Sequence, residues 1–192
     1  GGGSSVVGGG EPSRNGKPTI TVDLAQLDQV LAIDRESHTA RIQAGAIGPE
    51  IESQLNEKGL TLGHFPQSFQ FSTLGGWIAT RAAGQTSIGY GKIEDMTQAV
   101  RVVTPAGILE TRDVPATATG PSIRETIVGS EGTYGIITEA TMHIHPQPEV
   151  QDYRGVLFRA FEDGVTAFRD LMQSDPLHPS IVRLSDEAET AA

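Results

Sequence analysis

The sequence predicts an α+β sheet domain, and three observations carry that prediction. Segments rich in β-branched residues alternate with short helical ones in no regular βαβ rhythm, which argues against a Rossmann sheet. Three glycine-rich stretches stand far apart in the chain, each beside apolar segments. Pro146-Gln147-Pro148 then separates this unit from a further stretch of strand and helix pattern.

Each element has its own signal. Residues 18–23 alternate as a strand, and Leu24 and Leu27 follow on a short turn. Residues 30–34 and 39–44 predict a hairpin around Arg35-Glu36-Ser37-His38. Gly48-Pro49-Glu50-Ile51 opens a helix with an early proline and with Ile51 and Leu55 facing inward; Gly59 ends it. A short helix over 74–82 follows the second glycine stretch directly. Residues 96–104 and 108–111 are strands joined at the turn Pro105-Ala106-Gly107. A short helix spans 122–128, and a long β-branched strand spans 135–145. Past the prolines come a strand at 153–159, an amphipathic helix at 161–172 with Val165, Phe168 and Leu171 on one side, and a strand at 181–184. The expected division is 1–146, with subdomains about 1–56 and 57–146, followed by the beginning of a second unit at 147–192. The chain opens inside a glycine loop without Met and closes on Asp186-Glu187-Ala188-Glu189-Thr190-Ala191-Ala192, so it reads as an internal fragment, incomplete at both ends.

Composition narrows the functional classes. With a formal net charge of −10 over 192 residues, the chain lacks the basic stripe of a nucleic-acid binder. It contains no cysteine, which excludes disulfides, thiolate catalysis and cysteine-held metals. No run approaches the roughly 20 apolar residues of a membrane-spanning helix.

The chemistry sits in the glycine stretches. The first, Gly1-Gly2-Gly3-Ser4-Ser5-Val6-Val7-Gly8-Gly9-Gly10, is either a flexible linker or a nest of amides and hydroxyls for phosphate oxygens; Val6-Val7 and the predicted strand behind it favour the nest. The second, Pro66-Gln67-Ser68-Phe69-Gln70-Phe71-Ser72-Thr73-Leu74-Gly75-Gly76-Trp77, leads into a helix N-terminus, where unpaired N–H groups would favour an anion and Arg81 could add charge. Gly75 is expected to leave room for a ligand, and Trp77 to lie in the core. The third, Gly129-Ser130-Glu131-Gly132-Thr133-Tyr134-Gly135, precedes Ile136-Ile137, a surface on which a flat ring could lie; the plainer alternative is a turn before a buried strand. His143 and His145 share a strand face with no third ligand and read as a rim pair, so no metal is expected. His64 is an edge residue of the second loop, Glu94-Asp95 a solvated or capping pair, and Arg183 on this basis a surface charge.

These motifs together resemble the PCMH-type FAD-binding module of the vanillyl-alcohol-oxidase/p-cresol-methylhydroxylase superfamily. The general signal is Gly1-Gly2-Gly3-Ser4-Ser5 with Gly129-Ser130-Glu131-Gly132-Thr133-Tyr134-Gly135-Ile136-Ile137-Thr138-Glu139-Ala140. Phe69-Gln70-Phe71-Ser72-Thr73-Leu74-Gly75-Gly76-Trp77-Ile78-Ala79-Thr80-Arg81-Ala82 with Tyr90-Gly91-Lys92-Ile93-Glu94-Asp95-Met96 narrows it to the alkyldihydroxyacetonephosphate synthase family and its bacterial FAD-linked oxidase relatives.

The resemblance implies roles residue by residue. Gly1, Gly2, Gly3, Ser4 and Ser5 would hold the FAD pyrophosphate. Pro66, Gln67, Ser68, Phe69, Gln70, Phe71, Ser72, Thr73, Gly75 and Gly76 would run beside flavin and phosphates, with Thr80, Arg81, Ala82 and Ala83 as a further contact. Glu131, Gly132, Thr133, Tyr134, Gly135, Ile136 and Ile137 would take the adenosine side, with Tyr134 where relatives often have Leu. Arg183, in Pro179-Ser180-Ile181-Val182-Arg183-Leu184, would be the catalytic arginine beside the flavin. The implied activity is exchange of acyl for alkyl on acyl-dihydroxyacetone phosphate through a flavin N5 adduct, in ether-lipid synthesis; oxidation of a 2-hydroxy acid or alcohol is the alternative. The resemblance further implies dissociable FAD, a lipid-like or small-molecule substrate, peripheral membrane association, a homodimer, and a cytoplasmic location in bacteria or a peroxisomal one in animals. The family's opening strands precede Gly1, and its catalytic tyrosine and histidines would lie beyond Ala192, so the fragment alone is expected to be inactive.

Overall fold

The computed structural model describes residues 1–11, 16, 18–173 and 179–190. Its centre is an antiparallel sheet of five strands: β1 (Val30–Asp34), β2 (Thr39–Gln43), β4 (Thr97–Thr104), β5 (Gly107–Glu110) and β6 (Ile136–His143), in the order β1-β2-β6-β4-β5. The short strands β3 (Leu60–Thr61) and β7 (His145–Pro146) make a separate pair. Five short helices belong to the same stretch: α1 (Gly48–Asn56), α2 (Leu74–Thr80), α3 (Ser87–Tyr90), α4 (Ile93–Met96) and α5 (Ile123–Ile127). Helices α6 (Phe161–Gln173) and α7 (Glu187–Thr190) follow.

The sheet obeys the two-residue period of its sequence. Ala140 stands opposite Ile42 on one side and Val100 on the other, and all three are buried on the core face. The other face carries charge: Glu139 bridges Arg41 (2.5 Å) and Arg101 (3.1 Å), and Arg101 reaches on to Glu110 (2.8 Å). Ile51 and Leu55 from α1, and Leu74, Trp77 and Ile78 from α2, complete the core. Strands on either side of residue 56 thus share one sheet, since β2 pairs with β6.

Four expectations require correction. Residues 18–23, 153–159 and 181–184 form no strands, because a strand needs a hydrogen-bonded neighbour and none lies beside them among the described residues. The strand expected over 135–145 is broken at Ile144. That side chain turns into the core, its amide donates to His38 O (2.9 Å), and the chain crosses from the large sheet to the small one.

Two buried polar groups fix the segment that leads into the second glycine loop. The Glu52 carboxylate accepts the Thr61 hydroxyl (2.7 Å) and the Leu62 and Gly63 amides (both 3.1 Å). Burial pushes its pKa up, and those three donors oppose the shift. His64, only 1% exposed, packs edge-on to Trp77 with centroids 5.0 Å apart, and neither ring nitrogen has a hydrogen-bond partner among the described residues.

Desolvation holds His64 neutral, with its pKa lowered to about 4 from 6.5. The native state therefore binds fewer protons than the unfolded chain between those values. The stability involved is present above pH 6.5 and is lost as pH falls toward 4. At most about 3 kcal/mol is at stake. Urea unfolding near neutral pH and again at roughly pH 4.5 should show this loss, and His64→Phe should remove most of it.

Candidate functional site

Helix α2 organises the candidate site, and its first turn already has its partners. The amides of Leu74 and Gly75 donate to Ala46 O (3.0 Å) and Ala44 O (2.8 Å), and Gly76 N–H donates to the Thr73 hydroxyl oxygen (3.3 Å). The expectation of unpaired amides awaiting an anion at this helix end is therefore wrong. Gly75 is also assigned differently: a Cβ there would stand 2.9 Å from the Ala44 Cβ, so the glycine lets α2 lie close on the chain leaving β2 rather than leaving room for a ligand. Trp77 is buried, as expected, with its indole N–H donating to Ser72 Oγ (2.6 Å).

The first glycine loop lies across this corner. A Cβ at Gly2 would fall 1.8 Å from the Phe71 carbonyl oxygen, and Gly1 faces Thr73 Oγ1 and the Gly76 Cα, each 3.7 Å from such an atom. Farther along, Gly9 N–H donates to Ser5 Oγ (3.2 Å), and a Cβ at Gly9 would stand 3.6 Å from Glu131 Oε2. Among the described residues nothing accepts the amides of Gly2, Gly3, Ser4 and Ser5. Gly3 adopts φ +67° with open space beside it. Neutral donors are thus left free where the first loop crosses the second, as a diphosphate requires.

The third loop is tied to the other end of α2. Gly129 N–H donates to Ile78 O (2.9 Å) and Glu131 N–H to Ala79 O (3.1 Å). Glu131 is exposed and holds a left-handed φ of +49°, with its carboxylate toward Gly9. Gly132 and Thr133 are exposed, and a Cβ at Gly135 would collide with Val103 O at 2.4 Å. Ile137 is buried and Ile136 exposed; Tyr134, 51% exposed, faces an apolar groove with Leu109 and Ile123.

The remaining predicted positions divide. In the second loop, Pro66 is buried, Ser68 Oγ bonds Ser72 Oγ (2.9 Å), and Phe69 lies against Gly48; Gln67, Gln70 and Phe71 are exposed. The Thr80 hydroxyl donates to Gly76 O (2.9 Å), Ala82 is half-buried and Ala83 exposed. Arg81 is bonded to Glu94 (3.2 Å). Arg183 is not brought to the loops: its side chain is 72% exposed and paired with Glu189. Its segment touches the body where Ser180 meets Gly89, whose Cβ would stand 2.9 Å from the Ser180 Cα. Asp95 caps α4, accepting Lys92 N–H (2.9 Å), and half-buried His145 sits 5.0 Å from the Tyr90 ring. Gly9 was not singled out in the sequence, although its place in the first glycine stretch was signal enough to include it. Among the described residues no group of three or more His, Asp and Glu side chains could hold a metal, and no helix is long and apolar enough to cross a membrane.

Residues 1–112 match the FAD binding domain family. The chain belongs to that family. Its match includes the first two loops and α2. Alkyldihydroxyacetonephosphate synthase of Dictyostelium discoideum is 46% identical over 190 residues, which is 99% of this chain and 31% of that protein. A solved structure of alkyldihydroxyacetonephosphate synthase superposes with a TM-score of 0.83 at 47% identity, covering 89% of this chain and 31% of its own. The FAD-linked oxidoreductase YgcU of Escherichia coli strain K12 is 37% identical over 170 residues, 88% of this chain and 35% of its own. The chain thus spans about a third of the length of these relatives.

Because Gly75 packs against Ala44, Gly75→Val should destabilise the protein by about 1–3 kcal/mol with or without ligand. Denaturant titration of the ligand-free protein checks this. An unchanged midpoint would return Gly75 to the ligand side.

Proposed function

We propose that this chain supplies the FAD-binding part of an alkyldihydroxyacetonephosphate synthase, which exchanges acyl for alkyl on an acyl-dihydroxyacetone phosphate in ether-lipid synthesis. The observation that carries the reading is the meeting of all three glycine loops around α2, with the first loop's amides free at the crossing. The identity to synthases over nearly the whole chain supports the reaction class.

In this reading the amides of Gly2, Gly3, Ser4 and Ser5, with the Ser4 and Ser5 hydroxyls, hold the diphosphate by short neutral hydrogen bonds. Residues 66–73 and Gly76 form the wall beside them; Thr80, Ala82 and Ala83 extend it. Residues 131–137 close the adenosine side, where the Glu131 carboxylate suits hydroxyl donors and disfavours phosphate. FAD, when bound, supplies the ring system on which the exchange turns. In this reading the cofactor is held without a covalent link, as the family resemblance implies. Arg183 would neutralise the anionic substrate, which requires its guanidinium to leave Glu189. The first 146 residues would form the FAD unit and 147–192 the start of the substrate unit. A lipid-like substrate would bring the whole protein to a membrane surface, and its compartment and homodimeric state follow the family expectation.

The identity to an FAD-linked oxidoreductase and to D-lactate dehydrogenases supports a second reading, oxidation of a 2-hydroxy acid or alcohol. With the full-length protein, alcohol-for-acyl exchange without net reduction of the flavin is the expected result. Anaerobic bleaching of the flavin by a hydroxy acid, with no exchange, would select the oxidoreductase instead. Arg183→Ala should retain FAD while turnover falls by roughly a hundredfold. Normal turnover would remove Arg183 from the reaction.

A further inference from the structure

We propose that Arg81 is a positioning residue: it locks the third glycine loop against α2 through Glu94 and Glu125, and does not itself grip the cofactor. This rests on the reading that the third loop lines the FAD cleft.

Arg81 closes α2 in a left-handed conformation, φ +54° and ψ +47°, where glycine is the unstrained choice. A side chain kept at such a position must be over-determined by its contacts. Here the contacts are on both ends of the side chain. The aliphatic stem lies under Gly129, whose Cβ, if it had one, would stand 2.7 Å from both Cγ and Cδ of Arg81. Gly129 is itself left-handed at φ +83°, a conformation glycine adopts without strain, and its missing Cβ is what lets the Arg81 stem pack against it. The guanidinium then reaches two helices: Nε bonds Glu94 of α4 at 3.2 Å, and a terminal nitrogen lies 3.6 Å from Glu125 of α5. Helix α5 runs directly into the loop, ending at Ile127.

These contacts sit beside the two backbone bonds from Gly129 and Glu131 to Ile78 and Ala79. Arg81 therefore anchors both the helix that precedes the loop and the first residue of the loop. Two carboxylates already stand against its Nε and one terminal nitrogen, so its charge is matched within the protein. Glu94 also holds Lys92 (2.5 Å), and Glu125 holds Arg124 (2.7 Å), so the neighbouring cations are engaged in the same network.

The test is a mutant cycle in the full-length protein, titrating apoprotein with FAD and following amide hydrogen exchange over residues 129–135. Arg81→Met should weaken FAD binding by about tenfold and speed exchange in the loop. The pair Glu94→Gln and Glu125→Gln should weaken binding in the same direction, and adding them to Arg81→Met should change little, within about twofold. Arg81→Lys, able to reach one carboxylate, should recover part of the loss. The proposal is overturned if Arg81→Met weakens binding while the two glutamine changes leave it unaltered or tighten it, the signature of direct contact. It is equally overturned if Arg81→Met binds FAD as the unaltered protein does. Should the unaltered protein bind no FAD, the cofactor reading is what fails. The lock is then judged by exchange alone: faster exchange in Arg81→Met sustains it, unchanged exchange sinks it.

Discussion

The meeting of the three glycine loops depends on a helix of seven residues whose backbone ends are both engaged by neighbouring chain. A helix this short has no stability of its own in water, because one turn fixes several residues for very few bonds. Helix α2 persists because Ala44 and Ala46 carbonyls take its first amides and because its last turn gives carbonyls to Gly129 and Glu131. Trp77 and Ile78 add burial from the same few residues. Distant parts of the sequence are thereby fixed to one short rod: the end of β2, the first loop, the second loop as its N-terminal entry, and the third loop.

That arrangement decides which groups remain to bind a ligand. Helix N-termini are common anion sites because their amides lack partners, yet here the protein itself supplies the partners. The free donors belong instead to the first loop, which rests on the second where Gly2 meets Phe71 and Gly1 meets Gly76. Close approach of two main chains is what glycine at position 2 permits, since any side chain there would displace one loop from the other. In the proposed reading, binding requires no rearrangement of α2, since the first loop is already seated on it.

How much of this was legible in the sequence follows from the range of each interaction. The hairpin β1–β2, helix α1 and the inward pair Ile51 and Leu55 were readable because their signals are periodic and local. The three loops were readable as glycine clusters, and the family motifs named their shared role. What could not be read were pairings made across the fold. Nothing near Gly75 says that its neighbour is Ala44, and nothing near residues 153–159 says whether a partner strand will be present. Ile144 illustrates the same limit: it continues a β-branched run, and only its burial and its bond to His38 reveal that the chain changes sheets there. Arg81 looked like a charge awaiting an anion, since Glu94 and Glu125 are 13 and 44 positions away.

The electrostatics around the three loops follow from the same pairings. A chain with formal net charge −10 offers a diphosphate no long-range attraction. Near the loops, Arg81, Lys92 and Arg124 stand against three carboxylates, Glu94, Glu125 and Asp95, which leaves little uncompensated positive field. In the proposed reading, affinity for the diphosphate comes from oriented N–H dipoles at contact distance, which act over a few ångströms and respond weakly to salt. Such dipoles are only as good as their geometry: a misplacement of about 1 Å forfeits most of a hydrogen bond. This is why a site built on backbone donors needs the rigid support that α2 provides, and why ion pairs beside it serve better as fasteners for the loops than as ligands.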